Sequence, residues 1–167
     1  VVVLDGDTIP VTGSSWMDRE WSTSALDSTQ AGWDWFALQL DDDRDLMVYR
    51  LRGKDGSTDP LSKGVLVAGD GATTHLDATD FELEVLEGWS SPIDGSEYPS
   101  VWRVRVPGEG IDLRVTPVMR DQEMDVTVRY WEGAVDLSDG ASGEPAGRGY
   151  VELTGYAGAE SRSGRTR

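Results

Sequence analysis

The stretch Trp16-Met17-Asp18-Arg19-Glu20-Trp21 sets two carboxylates and a guanidinium between two indoles. Two acids this close are the simplest acid/base pair, but transferring a proton to a substrate requires that one be desolvated so that its pKa rises. In an extended chain alternate side chains share a face. Asp18 and Glu20 then lie with Trp16, while Arg19 and Trp21 lie with Met17, so the stretch does not present all its chemistry to one pocket. Asp18 and Glu20 are the candidate acids, with ion pairing to a neighbouring Arg as the competing role. Arg19 suits bidentate contact with a ligand carboxylate or an internal acid.

Most other chemistries lack their residues. There is no cysteine, and His75 is the single histidine, so neither a thiolate nucleophile nor a Cys or His metal cluster is available, and no metal site is expected. No nucleophile elbow and no Gly-rich phosphate loop appear, and no cofactor is called for. His75 sits in "THLDATDF", a polar turn before a strand, where exposure is expected rather than catalysis. The net charge of -16 repels nucleic acid and anionic membrane surfaces alike. Asp-rich, Arg-over-Lys composition of this kind is that of salt-adapted or GC-rich organisms, where much of the charge serves solvation. No apolar run is long enough to form a transmembrane segment, and the opening "VVVLDGDTIP" lacks the features of a signal peptide. The compartment is not legible. The chain also begins like the middle of a strand, as a piece of a longer protein would.

The elements that must hold these residues are strands. Apolar residues recur with period two, and turn signals such as "LDGD", "LDDDRD", "AGDGA" and "VPGEG" fall between the runs. Strands are predicted near 1–4, 9–21, 33–40, 45–52, 64–68, 80–87, 101–106, 111–118, 124–135 and 148–156. About ten antiparallel strands within 1–156 predict one all-β barrel domain, with 157–167 a polar, flexible tail. The acidic turn between "WDWFALQL" and "DLMVYRLR", and the "PGEG" turn between "VWRVRV" and "IDLRVTPV", predict pairing of their flanking strands. The segments 22–32 and 88–100 are read as loops capping a barrel mouth.

Seven tryptophans are many for a chain of 167 residues, and several fall in phase with charged or polar side chains. Trp33 and Trp35 alternate with Phe36, Leu38 and Leu40. Tyr49 shares a face with Met47 and Leu51, Trp102 with Val104 and Val106, and Trp131 with Asp125 and Arg129. Trp21, Trp33, Trp35, Tyr49, Trp102 and Trp131, with Arg19, form the candidate ligand-binding wall. An apolar pocket with a few fixed polar groups has this composition, as does a surface that docks another domain.

The strings "WMDREWS", "GWDWFALQLDD", "LMVYRLRGKDGSTDP", "DFELE", "SPIDGSEYP", "WRVRVP", "YWEGAV" and "GRGYVELTGY", in that order, resemble the carotenoid hydratase (hydroxyneurosporene synthase) superfamily, in particular its bacterial AttH-like branch. The resemblance runs from about Gly13 to Tyr156. It implies a lipocalin-like β-barrel, the C-terminal one of two in a parent about twice this length, with an N-terminal β-barrel as partner domain. It also implies an apolar small molecule as ligand and no cofactor. Family members hydrate the terminal double bond of acyclic carotenoids by protonating an alkene, with aromatic faces stabilising the cation. Others cyclise polyenes.

The family's Asp-His-Glu-Trp motif corresponds to Asp18, Arg19, Glu20 and Trp21, which keeps the Trp and replaces the His. Its Tyr-x-Asp corresponds to Tyr49, Arg50 and Leu51, which keeps the Tyr and loses the acid. Arg remains charged at any accessible pH and Leu carries no proton to give. Two readings therefore stand: a domain binding an isoprenoid or lipid-like ligand, and a cofactor-free hydratase (a carotenoid 1,2-hydratase-like lyase), isomerase or cyclase with Glu20, Asp18 and Tyr49 as catalytic residues. The discriminating feature is whether a carboxyl group enters an apolar cavity.

Overall fold

The structure, a computed structural model, describes residues 1–18, 26–126 and 129–157. Twelve strands follow in chain order: β1 (Val2–Leu4), β2 (Asp7–Ile9), β3 (Gln30–Leu40), β4 (Asp45–Gly53), β5 (Lys63–Val67), β6 (Thr73–Asp77), β7 (Glu82–Ser90), β8 (Glu97–Val106), β9 (Ile111–Pro117), β10 (Glu123–Asp125), β11 (Arg129–Asp139) and β12 (Pro145–Thr154). Strands β1 and β2 form a separate hairpin. The others make one antiparallel sheet in the order β6-β5-β4-β3-β12-β11-β9-β8-β7, with β10 on β11. The first and last long strands, β3 and β12, pair at its centre through Phe36↔Val151 and Trp35↔Glu152. The sheet curls into an antiparallel, lipocalin-like half-barrel.

Period two explains the curl. Phe36 and Leu38 of β3, Leu46 and Val48 of β4, and Val151 and Leu153 of β12 point inward and are buried together. The opposite wing adds Trp102, Val104, Leu113, Val115, Trp131 and Val135 to the same cluster. Each such side chain stabilises the fold by about 1.5–3 kcal/mol when removed from water, and only a curved sheet brings both wings together. Trp102 meets Phe36 edge-on, with ring centroids 5.2 Å apart. Hairpin chemistry sets the register. Both predicted hairpins form, β3 with β4 and β8 with β9. In the second, Pro107–Glu109 make a single 3₁₀ turn, and Gly110 (φ 66°) supplies the left-handed residue that returns the chain.

Several boundaries differ from the periodicity reading. The predicted strand over 9–21 ends at Ile9 in the short β2, and residues 10–18 are irregular. Pro10 removes the next backbone donor. The alternation assigned to Trp16, Met17 and Asp18 therefore has no strand behind it. The single strand over 124–135 is two, β10 and β11, which pair with each other. Trp131 points inward with Gly133, Val135 and Leu137, so the face shared with Arg129 is a core face at that end rather than a ligand wall. The segment 88–100 is mostly strand, with only 91–96 between β7 and β8. Strand β6 was unpredicted because only Leu76 of its five residues is buried, which leaves no alternation to detect. His75 lies within it, exposed, rather than in a turn. Residues 158–167, most of the expected tail, lie outside the described residues, as do residues 19–25. No helix among the described residues is long and apolar enough to cross a membrane.

Candidate functional site

The outer face of the sheet carries the aromatic residues that the core does not use. Along one row, the register runs Glu132 (β11), Glu152 (β12), Trp35 (β3), Tyr49 (β4) and Lys63 (β5). The next row runs Ala134, Tyr150, Ala37, Met47 and Val65. The irregular segment before Arg19 lies against these rows, and its Trp16 meets Trp35 edge-on at 6.2 Å and 75°. Between the segment and the sheet lies a cleft of about 570 Å³, walled by Trp16, Trp35 and Tyr150 and edged by Asp18, Glu132 and Glu152. Gly149 helps to floor it, because any Cβ there would stand 2.5 Å from the carbonyl oxygen of Ala37.

The polar groups of the cleft are unevenly satisfied. The Trp33 indole N–H donates to Glu152 Oε1 at 3.0 Å, and the Trp33 backbone N–H donates to the hydroxyl of Thr154 at 3.0 Å. The Glu132 carboxylate, directly opposite Glu152, has no hydrogen-bond or ion-pair partner among the described residues. Like charges facing each other across a strand pair repel. Burial, and then the charges of Glu132 and Glu152, hold the Tyr150 phenol above its ordinary value, so it stays a neutral hydroxyl. Arg148, the one guanidinium lining the cleft among the described residues, stands in register with Asp136 on β11.

A second polar constellation lies on the inner face. Asp34 is fully buried. Its Oδ2 accepts from Arg50 Nε at 2.9 Å and Nη2 at 2.7 Å, and its Oδ1 accepts from Arg52 Nε at 3.1 Å and the Tyr156 hydroxyl at 2.7 Å. The Arg52 guanidinium stacks 3.8 Å from the Tyr156 ring, and that of Arg50 stands 5.4 Å from the Trp102 ring. Beside them, Tyr98 donates to Glu123 Oε1 at 2.9 Å, and Ser91 donates to the other carboxylate oxygen. These groups were missed from sequence, although the phase held a signal. Asp34 is in step with Phe36 and Leu38, and Arg50 with Leu46 and Val48, so both sit where core residues belong.

The structure divides the predicted wall. Asp18, exposed, and Trp35 line the outer cleft; Trp33 and Tyr49 flank Trp35 on the same face. Trp102 and Trp131 are core residues, 1% and 2% exposed. Trp102 packs on Phe36, and the Trp131 indole donates to the Arg120 carbonyl at 2.7 Å. Arg19, Glu20 and Trp21 lie outside the described residues. Among the described residues no three His, Cys, Asp or Glu side chains gather as metal ligands.

The model of a family described as AttH-like matches residues 1–156. Among solved structures, a "putative AttH" of Nitrosomonas europaea is 38% identical in sequence, with a TM-score of 0.72. The match covers 81% of this chain and 42% of that one, so the chain spans less than half the length of that protein. No curated protein matches.

Proposed function

The chain belongs to the AttH-like family, and on that premise we propose that it is a binding domain which holds an apolar, isoprenoid or lipid-like ligand against the outer face of its half-barrel. The observation carrying this reading is the aromatic cleft beside Trp16, Trp35 and Tyr150. Its volume suits a drug-sized or short-chain molecule, which typical sites of 300–1,000 Å³ accommodate. The inner face supports the assignment by contrast, since its large side chains fill the curl and pack on one another.

Alkene protonation is the weaker alternative. It needs a carboxylic acid kept out of water, and Asp18, the candidate acid within the described residues, is exposed. Under the same proposal the half-barrel is one of two in a longer parent, and the second supplies further wall to the ligand. The 42% coverage of the Nitrosomonas europaea protein is consistent with that arrangement.

The test is titration with farnesol, a neutral isoprenoid alcohol, followed by tryptophan fluorescence. Saturable binding weakened at least tenfold by Trp35→Ala supports the proposal, whereas no saturable binding, or binding indifferent to Trp35, refutes it.

A further inference from the structure

From the polar groups at the end of the same cleft away from Trp35, we infer that its ligand is an acid, with a carboxylate head seated on Arg148 and Gln39 and an apolar body running from there to Trp16 and Trp35. The inference rests on the binding proposal above and adds the head group and the direction in which the ligand lies.

Every other arginine among the described residues holds an ion pair. Arg148 has neither an ion pair nor a side-chain hydrogen bond among them, although the chain carries 31 acids to 15 bases and Asp136 stands in register with it on β11. It lines the cleft instead. Gln39 is directly opposite Arg148 on β3, and Tyr150 lies two residues further along β12 on the same face. Both line the cleft, and neither the Gln39 side-chain amide nor the Tyr150 hydroxyl has a hydrogen-bond partner among the described residues. The Tyr150 phenol keeps its proton, because burial and then the charges of Glu132 and Glu152 hold it above its ordinary value. Guanidinium, amide and phenol are thus donors without acceptors around one end of a concave space. A carboxylate supplies the acceptors, and the guanidinium fork takes both of its oxygens at once.

The rest of the cleft fits the body of such a ligand. Ala37 and Gly149 make a low floor between the polar end and the Trp16–Trp35 pair. Gln39 and Trp35 are four residues apart on β3, as are Arg148 and Glu152 on β12. At about 3.3 Å per residue, the row of Trp35, Glu152 and Glu132 lies about 13 Å along the strands from Arg148. That exceeds the screening length of about 8 Å at physiological salt, so those acids do not bar an anion from Arg148. Asp18, on the border, is exposed and screened by water. Charge also selects carboxylate over phosphate. One guanidinium neutralises a monoanion, whereas a phosphate monoester carries further charge with no second cation to meet it.

The test keeps the isoprenoid chain and varies the head. Farnesoic acid, farnesol and farnesyl phosphate are titrated into the protein at neutral pH and physiological salt, and followed by tryptophan fluorescence and calorimetry. The acid is expected to bind at least fivefold more tightly than the alcohol, and more tightly than the phosphate. Arg148→Gln should shrink the preference for acid over alcohol to twofold or less while leaving the affinity for farnesol within twofold. Lys54→Gln removes the same charge from an exposed turn outside the cleft and should leave the preference unchanged.

Equal binding of acid and alcohol overturns the head-group inference and leaves the apolar-ligand proposal standing. Binding of none overturns both. A preference for the acid that survives Arg148→Gln, or that falls equally in the two variants, also overturns the inference, since the head then sits elsewhere or responds to the overall charge of -16. Tighter binding of the phosphate overturns the assignment of a carboxylate.

Discussion

On the inner face of the half-barrel Asp34 is fully buried and gathers two guanidinium groups and a phenol, while on the outer face Glu132 meets Glu152 across a strand pair beside an open aromatic cleft. The same alternation of side chains built both faces. The inner one is sterically closed, and the outer one keeps a cleft walled by half-buried aromatic rings. A fold gains little from leaving such rings uncovered, whereas a site for something else does gain.

The comparison is broken most readily by truncating one tryptophan on each side. Trp102→Ala should cost about 3–5 kcal/mol, because the vacated volume lies among Phe36, Val104 and the Arg50 guanidinium and has no route to collapse. Trp35→Ala should cost about 1 kcal/mol, mostly the lost edge contact with Trp16. Urea unfolding of the two variants measures both, and equal costs would mean that the outer tryptophan is structural after all. Asp34→Ala should match the larger value, at about 3–5 kcal/mol, since it leaves Arg50 and Arg52 charged, largely buried and unpaired.

The inner network also predicts a pH response. Burial and then the hydrogen bond to Glu123 push the Tyr98 phenol up, and burial and then the charge of Asp34 push Tyr156 up. Below pH about 10 both phenols hold their protons in folded and unfolded chains alike, so their contribution is intact. Above it the unfolded chain ionises while the folded one does not. Stability should then fall by up to about 1.4 kcal/mol per pH unit for each phenol. Denaturation midpoints between pH 8 and 11 should show this decline, and Tyr98→Phe with Tyr156→Phe should flatten it. An unchanged slope in the double variant would remove these phenols as its source.

How much of this could be read from the sequence follows from the same contrast. Alternation located β3, β4, β8, β9 and β12 because each buries one face, and the hairpin turns fixed which neighbours pair. It failed at β6, where one buried Leu76 gives no period, and at 10–18, where the pattern is apolar enough for a strand but the chain is irregular. At the site, Trp33, Trp35 and Tyr49 were placed on one face correctly, since phase within a long paired strand is rigid. Trp131 was correctly phased with Asp125 and Arg129, but at Trp131 that face points into the core instead of outward. Glu132, Glu152 and Tyr150 were not singled out at all. Their meaning comes from register between β11 and β12, and residues 20 apart in sequence carry no mark of facing each other.

The smallest effect tests the outer face most directly. Replacing a surface carboxylate by its amide is ordinarily neutral to within about 0.5 kcal/mol. Glu132→Gln should instead stabilise the protein, by about 0.2–1 kcal/mol at low ionic strength, because it removes one member of a like-charged cross-strand pair. The gain should shrink in 1 M salt, where the screening length falls to about 3 Å and the repulsion between the carboxylates is largely lost. Paired thermal unfolding curves at low and high salt measure it. A gain independent of salt would trace to packing or to the unfolded chain, and a loss of stability would show that Glu132 serves the fold. In either case the like-charged pair would not be what sets the outer face apart from the inner one.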